Sequence, residues 1–339
     1  MILAVVCVVT FIAALLATGL LRRYAIARSL MDIPNSRSSH SAPTPRGGGV
    51  AIVFCFLIAL FMLFQMGYVE WALFCALLGS GSGVALLGFL DDHGHIAARW
   101  RLLGHFIAAG WVLFYLSGLP PILMLGVTYD LKWFGYLIGA FYLVWMLNLY
   151  NFMDGIDGLA SAEAISVCLG AALIYIVLGY INHSAVLLVM ASAVGGFIWW
   201  NFPPAKIFMG DAGSGFLGIV LACFSLQAGW LSATLVWSWL ILLGVFIVDA
   251  TWTLLCRLLR GEALYEAHRS HAYQVASRRY GRHLPITFGV LLINLFWLTP
   301  WALVAATGYI DGVLALLLAY SPLLGLAIFF NAGQQENQA

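Results

Sequence analysis

The sequence predicts an all-α, polytopic integral membrane protein with about 11 transmembrane helices (10–11). Three observations predict it. Of the 339 residues, 63% are hydrophobic and 9% are charged, with a mean hydropathy of +0.98; a water-facing surface on a chain this long needs far more charge. The apolar residues come in runs of spanning length separated by short polar stretches. The basic residues fall almost entirely in alternate connections.

The first run, residues 1–21, is a spanning helix and not a cleavable signal, because its positive charges, Arg22 and Arg23, follow it. Ten further runs follow at 48–68, 71–90, 102–118, 133–150, 162–180, 184–200, 213–229, 231–255, 286–307 and 312–330. The chain then alternates sides as one transmembrane domain over 1–339, with a His/Arg loop at 256–285. Fourteen of the 15 Lys and Arg residues share one side and only Lys132 takes the other. That split makes the basic side cytoplasmic. Asp91, Asp92, Asp154, Asp157 and Asp211 fall on the same side. The outer connections are short and hold little beyond Glu70, Asp130, His183 and Asp311. A net charge of +1 supplies no field for nucleic acid, so no nucleic-acid partner is expected. The six cysteines lie in or at the end of apolar runs with no CxxC or Cys/His spacing, and read as small apolar residues. The tail "GQQENQA" reads as disordered.

The chemistry-bearing residues cluster in five stretches of the basic side. "MDIPNSRSSHSAPTPRGGG" (31–49) is rich in turn formers, and Gly47, Gly48 and Gly49 open a helix. Its backbone N–H groups are a candidate anion site, with Arg37, His40 and Arg46 at a substrate mouth; a plain flexible loop is the alternative. "GFLDDHGHIAARWR" (88–101) sets two adjacent carboxylates, Asp91 and Asp92, at a helix end. Something must neutralise them: a divalent cation, or a salt bridge to Arg99 or Arg101.

"NLYNFMDGIDGLA" (148–160) is the strongest signal. Asn151, Asp154 and Asp157 recur every three residues, which on a continuing helix places them near one face. No basic residue stands between them, and acidic groups at membrane depth are costly and functional by default. "NFPPAKIFMGDAGSGFLG" (201–218) brings Asn201, Lys206, Phe208, Asp211 and a Gly/Ser run that includes Gly213 and Ser214. Free N–H groups at such a helix start suit phosphate. "LYEAHRSHAYQVASRRYGRH" (264–283) holds His268, Arg269 and His271, without zinc spacing. They are candidates for a phosphate or sugar, while Arg278, Arg279 and Arg282 alternatively hold anionic membrane lipids. Asp249, about two turns inside the ninth run, either faces the same cleft or bonds to a neighbouring helix.

Hard oxygen donors beside phosphate-cradling backbone point to Mg²⁺ or Mn²⁺ and to phosphoryl chemistry. The residues alone thus describe a Mg²⁺-dependent enzyme acting on a phosphorylated lipid at the membrane interface. A transporter of nucleotide sugars or phosphorylated lipids is the rival, but transporters place charge near the midplane, often with internal repeats.

"GFLDD", "NLYNFMDGIDGLA" and "NFPPAKIFMGDAGSGFLG", in that order, resemble the polyprenyl-phosphate N-acetylhexosamine-1-phosphate transferases, the MraY/WecA-like family within glycosyltransferase family 4. "DDHGHIAARWRLLGH" looks closer to the WecA and WbpL branch than to MraY. The resemblance covers nearly the whole chain, and implies a multi-pass protein of the bacterial inner membrane whose active site faces the cytoplasm. It implies transfer of N-acetylhexosamine-1-phosphate from a UDP-sugar to undecaprenyl phosphate, giving undecaprenyl-diphospho-sugar and UMP. This is the initiating step of O-antigen or other cell-surface polysaccharide synthesis. A homodimer is a further expectation.

The resemblance also implies roles. Asp211 is a Mg²⁺ ligand and Asn151 a neighbouring one; Asp91 and Asp92 orient or deprotonate the lipid phosphate or assist the metal; Phe208 stacks on uracil and Asp157 lies near the nucleoside. Arg99 falls where the family carries a basic residue seven positions after the DD pair. Asp154 and His271 join the expected catalytic set, and Asn148, Asn201, Arg101, His268, Arg269, Gly213 and Ser214 the substrate-binding set. A phosphate monoester is largely ionised at pH 7, its second pKa being about 6, so no strong base is required and direct attack is favoured. One departure concerns the donor. Where many relatives carry "HxHH", this chain reads "HRSH", with Ser270 in place of a histidine. The expected donor is therefore UDP-N-acetylfucosamine or UDP-N-acetylquinovosamine, with UDP-GlcNAc the plain alternative.

Overall fold

A computed structural model describes residues 1–34, 42–94, 96–262 and 268–334. Arg37 and His40 of the first loop, and the tail from 335, lie outside the described residues.

The chain is helical almost throughout. It runs α1 (Ile2–Ala27), α2 (Gly49–Gln65), α3 (Trp71–His93), α4 (Ala98–Tyr115), α5 (Lys132–Met153), α6 (Leu159–Val177), α7 (Ile181–Asn201) and α8 (Asp211–Leu231). There follow α9 (Ala233–Leu242), α10 (Gly244–Leu259), α11 (Ala272–Tyr280), α12 (Leu284–Ile293), a π-helical turn (Asn294–Leu298), α13 (Thr299–Ala306) and α14 (Gly312–Phe329). Helix therefore stands at all eleven expected positions. Among the described residues, eight segments are long and apolar enough to cross a membrane, and a ninth is a bent pair. The protein is a polytopic membrane protein. α2 is a shorter apolar helix of 17 residues, and α4 carries Arg99, Arg101 and His105 in its first turns.

α8 is the axis of the molecule: 83% of its apolar window is buried, against 22% for the peripheral α1. It packs on α2, α3, α5 and α9. Small residues permit this closeness. A Cβ on Gly88 of α3 would lie 2.5 Å from the Asp211 backbone, and one on Gly218 would lie 2.8 Å from the Leu147 backbone of α5. The charged helix ends of α3, α4, α5 and α8 are thus drawn together at one face.

Three expectations are corrected. The ninth run is broken at Leu243 into α9 and α10, bent by 71°; uniform hydropathy does not encode a bend. The helix through "NFMDGIDG" does not continue. α5 ends at Met153, Asp154 caps it, and the chain turns to restart at Leu159 after Gly158 in the left-handed region (φ +73°). Asn151 is therefore on α5, while Asp154 and Asp157 are on the turn. The opposite face also carries more than a short loop: β3 (Ile122–Met124) pairs antiparallel with β4 (Val127–Tyr129) across Leu125 and Gly126, both at positive φ. On the polar face a two-residue ladder joins β1 (Met31–Asp32) to β2 (Thr44–Pro45).

Candidate active site

Three adjoining cavities open where these helix ends meet. The central one, about 240 Å³, is lined by Asp32, Arg46, Asp92, Asn151, Asp154, Asp157, Asn201, Phe208, Asp211, Ser214, Gln274 and His283. A larger recess of about 450 Å³ shares Asp157, Phe208 and His283 with it. A small one of about 60 Å³ shares Asn151 and Asp211 and adds Asp91, Arg101, His105 and Asn148.

Charge dominates the central cavity. Burial pushes the Asp154 carboxyl well above the usual carboxylate range, and the charges of Asp211, Asp92 and Asp157 push it further. Four carboxylates from α3, the 154–158 turn and α8 therefore face one space. Asp92 leaves Oδ2 buried without a hydrogen-bond partner. Arg46 bonds the Asp92 backbone carbonyl, and its guanidinium stands 3.9 Å from Asp92 Oδ1. Arg101 Nη1 lies 2.5 Å from Asp91 Oδ2 and 3.7 Å from Asp211 Oδ2. The cations thus stand at the rim and the carboxylates within.

Asn151 donates to Asp211 Oδ1 (3.0 Å) and to Ser214 Oγ (2.9 Å), joining α5 to α8. Asp157 is anchored on three sides: Oδ2 accepts from Ala205 N (2.9 Å), its carbonyl accepts from Thr287 Oγ1 (2.8 Å), and His283 Nδ1 lies 3.2 Å from Oδ1. Asn201 is 3% exposed, and its side chain is spent on the chain itself, with Oδ1 also accepting from Ser161 Oγ. Its Oδ1 accepts from Gly158 N and its Nδ2 donates to Ile207 O. It fixes the turns that carry Asp157 and Phe208.

The glycine-rich helix starts are used internally. Gly48 N and Gly49 N donate to Phe208 O and Met209 O, and Gly213 N and Ser214 N to Gly210 O. Gly213 serves close packing, since a Cβ there would lie 2.7 Å from Gly49 Cα. The N–H groups of Asp211 and Ala212 face the Asp92 carboxylate, so an anion already stands at the α8 N-terminus. Gly210 makes that approach possible: its φ is +79°, and a Cβ there would lie 2.8 Å from Asp92 Oδ2.

Of the expected site residues, Asp92, Asn151, Asp154, Asp157, Asn201, Phe208, Asp211 and Ser214 line the central cavity, and Asp91, Arg101 and Asn148 the small one. Arg99 is exposed and lies over the Trp100 ring. His268, Arg269 and His271 line none of the three cavities. His271 is 2% exposed, stacks on Phe152 and Tyr273, and lies 3.3 Å from Asp249 Oδ1. Burial, then the nearby His271 and Arg257, pushes His268 down to about 3.

The loop reaches the cavity through different residues. Asp249 accepts from Ala272 N (2.9 Å) and Tyr273 N (3.0 Å), capping α11 from α10. Tyr273 donates to Phe152 O (2.9 Å), and a Cβ on Gly155 would lie 2.1 Å from its hydroxyl. α11 is thereby pressed onto the acidic turn, with Gln274 at the cavity wall. Gln274, His283 and Asp32 escaped the sequence reading. The polar character of "HAYQ" was visible, but which of its side chains points inward depends on the Asp249 cap.

Residues 74–229 match the model of the glycosyl transferase family 4. The chain is 30% identical over 273 residues to a probable undecaprenyl-phosphate N-acetylglucosaminyl 1-phosphate transferase of Bacillus subtilis, covering 78% of this chain and 75% of that protein. It is 31% identical to a phospho-N-acetylmuramoyl-pentapeptide-transferase of Streptococcus thermophilus, over 65% of this chain and 67% of the relative. It is 30% identical to a decaprenyl-phosphate N-acetylglucosaminephosphotransferase of Mycobacterium tuberculosis, over 67% and 60%. With its membrane helices and its acidic face, the chain belongs to the glycosyl transferase family 4, the MraY/WecA-like membrane transferases.

Proposed function

We propose that this protein transfers N-acetylhexosamine-1-phosphate from a UDP-sugar to undecaprenyl phosphate and releases UMP, at the cytoplasmic face of the bacterial inner membrane. It would thereby initiate O-antigen or another cell-surface polysaccharide. One observation carries the reading: four carboxylates share a cavity at a single membrane face, one of them with a buried oxygen that has no partner.

A divalent cation, Mg²⁺ or Mn²⁺, fits this donor set, which is all oxygen and unbalanced in charge. Among the described residues no three Asp, Glu, His or Cys groups close on one point; Mg²⁺ is commonly held by one or two carboxylates, with waters and substrate phosphates completing its shell. Asp211 and Asn151 would hold it, with Asp92 Oδ2 beside them. When bound it supplies neutralisation of the diphosphate and eases departure of UMP.

The chain's own groups do the positioning. Phe208 forms a wall common to the central cavity and the larger recess, and offers a ring face to uracil. Asp157, held by Ala205, Thr287 and His283, presents a fixed carboxylate near the nucleoside. Arg101, between Asp91 and Asp211, meets the lipid phosphate at the small recess. A lipid phosphate oxygen attacks the sugar-bearing phosphorus. The new P–O bond forms as the bond to the UMP oxygen breaks, and UMP leaves with that electron pair. Asp91 and Asp92 orient the attacking phosphate and take up its residual proton. The donor is a UDP-N-acetylhexosamine, and the "HRSH" loop favours a 6-deoxy sugar over GlcNAc.

The test is UMP release by the purified protein with undecaprenyl phosphate, Mg²⁺ and a panel of UDP-N-acetylhexosamines. Release that needs the lipid, stops with EDTA and favours one sugar establishes the reaction and the donor. Folded protein that releases nothing with any sugar overturns it.

A further inference from the structure

The described residues include a second buried acid that the reaction does not use. Glu163 lies in the second turn of α6 and is 0% exposed; Asn294, which opens the π-helical turn, is 1% exposed. Asn294 Nδ2 donates to Glu163 Oε2 (2.6 Å) and to Ser166 Oγ (2.8 Å), which uses both its hydrogens. Ser166 in turn donates to the carbonyls of Ala162 and Glu163. Two acceptors are then left over, Glu163 Oε1 and Asn294 Oδ1, both buried without a partner.

An ionised carboxylate cannot resolve this. It would leave two oxygens without donors and a charge in the membrane interior, where either is costly. No Lys, Arg or His pairs with Glu163 among the described residues. The titratable groups that face it are the phenols Tyr150 of α5 and Tyr320 of α14. Each donates to a backbone carbonyl, Ala160 O and Leu240 O. α7 brings only His183, at its far end, and α9, α12 and α13 contain no ionisable side chain. One proton on Oε1 removes the charge and turns one orphan acceptor into a donor, on the carboxyl that already bonds the residue carrying the other orphan, Asn294 Oδ1.

The location gives the pair a consequence. The turn that leads into α6 is also joined to the start of α12 at the polar face, through Thr287 to the Asp157 carbonyl and His283 to the Asp157 carboxylate. Thr299 Oγ1 donates to Asn294 O (2.8 Å), tying the π-turn to α13. π-turns of this kind recur at functional sites.

We propose that Glu163 is held protonated in the membrane interior, and that its acid–amide pair with Asn294 sets α12 against α6, which keeps His283 seated on Asp157. Glu163 is thus a positioning residue, and its influence on turnover rests on the transferase reading above; the infrared and melting measurements do not. Three variants of the full-length protein test it: E163Q, E163A and N294L. The infrared difference spectrum of wild type minus E163Q at neutral pH should contain a protonated-carboxyl C=O band that shifts in D₂O. Its absence overturns the protonation. E163Q, an isostere of the neutral acid, should keep the wild-type melting temperature, while E163A and N294L lower it. Turnover should follow, with kcat/KM near wild type in E163Q and down about tenfold in E163A. Wild-type turnover should decline at alkaline pH where E163Q holds steady. A loss in E163Q equal to that in E163A means the negative charge is needed and overturns the proposal. Coincident pH profiles do the same.

Discussion

Asn151 of α5 donates its amide hydrogen to Asp211 of α8 across 3.0 Å. This contact ties together two sequence motifs sixty residues apart and holds the Asp211 carboxylate over the cavity. Asp211→Asn keeps the shape and removes the charge. It should lower kcat by at least about 100-fold while the protein remains folded, as checked by melting temperature and UMP release. Near-normal turnover would remove Asp211 from the cation site.

Gly155 is where α11 touches the acidic turn. Gly155→Ala drives a methyl to 2.1 Å from the Tyr273 hydroxyl, and should destabilise the protein by about 1–3 kcal/mol and depress turnover. Removing the hydroxyl relieves the worst clash, so G155A/Y273F should recover part of the lost stability relative to G155A. A thermal melt of the three proteins checks this.

The cap that Asp249 places on α11 should be measurable apart from the chemistry. Asp249→Ala removes the acceptor for Ala272 N and Tyr273 N, and should cost about 1–2 kcal/mol. Asp249→Asn keeps one acceptor oxygen and should cost less. His271→Ala, which empties a buried ring stack, should alter rate or sugar preference more than Arg282→Ala at the rim of the larger recess. The comparison is made with the UDP-sugar panel.

His268 gives a pH dependence with a defined sign. Its folded value is pushed down to about 3 by burial, below the unfolded value of about 6.5. The unfolded chain then binds more protons, so stability rises with pH between those values and is complete above about 6.5. The melting temperature of the wild type should fall on acidification from about pH 7 to pH 5, and His268→Gln should flatten that slope.

Much of the site was legible because its signals are local. Asp91, Asp92, Asp154, Asp157 and Asp211 stand out against apolar neighbours, and the basic residues sort the connections by side. What stayed hidden depends on contacts distant in sequence. The spacing of Asn151, Asp154 and Asp157 fits a helix, yet the left-handed Gly158 ends it. "GDAGSG" and "GGG" look like open anion cradles, but the Asp92 carboxylate stands before the first, and the carbonyls of Phe208 and Met209 take the N–H groups of the second. Glu163 sits inside an apolar run and carries no motif. Only the neighbouring π-turn, 131 residues away, makes it conspicuous.

The carboxylate of Asp92 before the α8 N-terminus has one more consequence. A bare helix start would collect whatever free anion the cell offers, inorganic phosphate above all. Here that seat is taken by the protein's own side chain, and three more carboxylates surround it. Within the central cavity a lone phosphate meets these carboxylates with only the rim cations Arg46 and Arg101 to hold it, whereas a diphosphate that arrives with its cation brings the charge the walls lack. In the proposed reaction, net charge thus sorts anions before shape does.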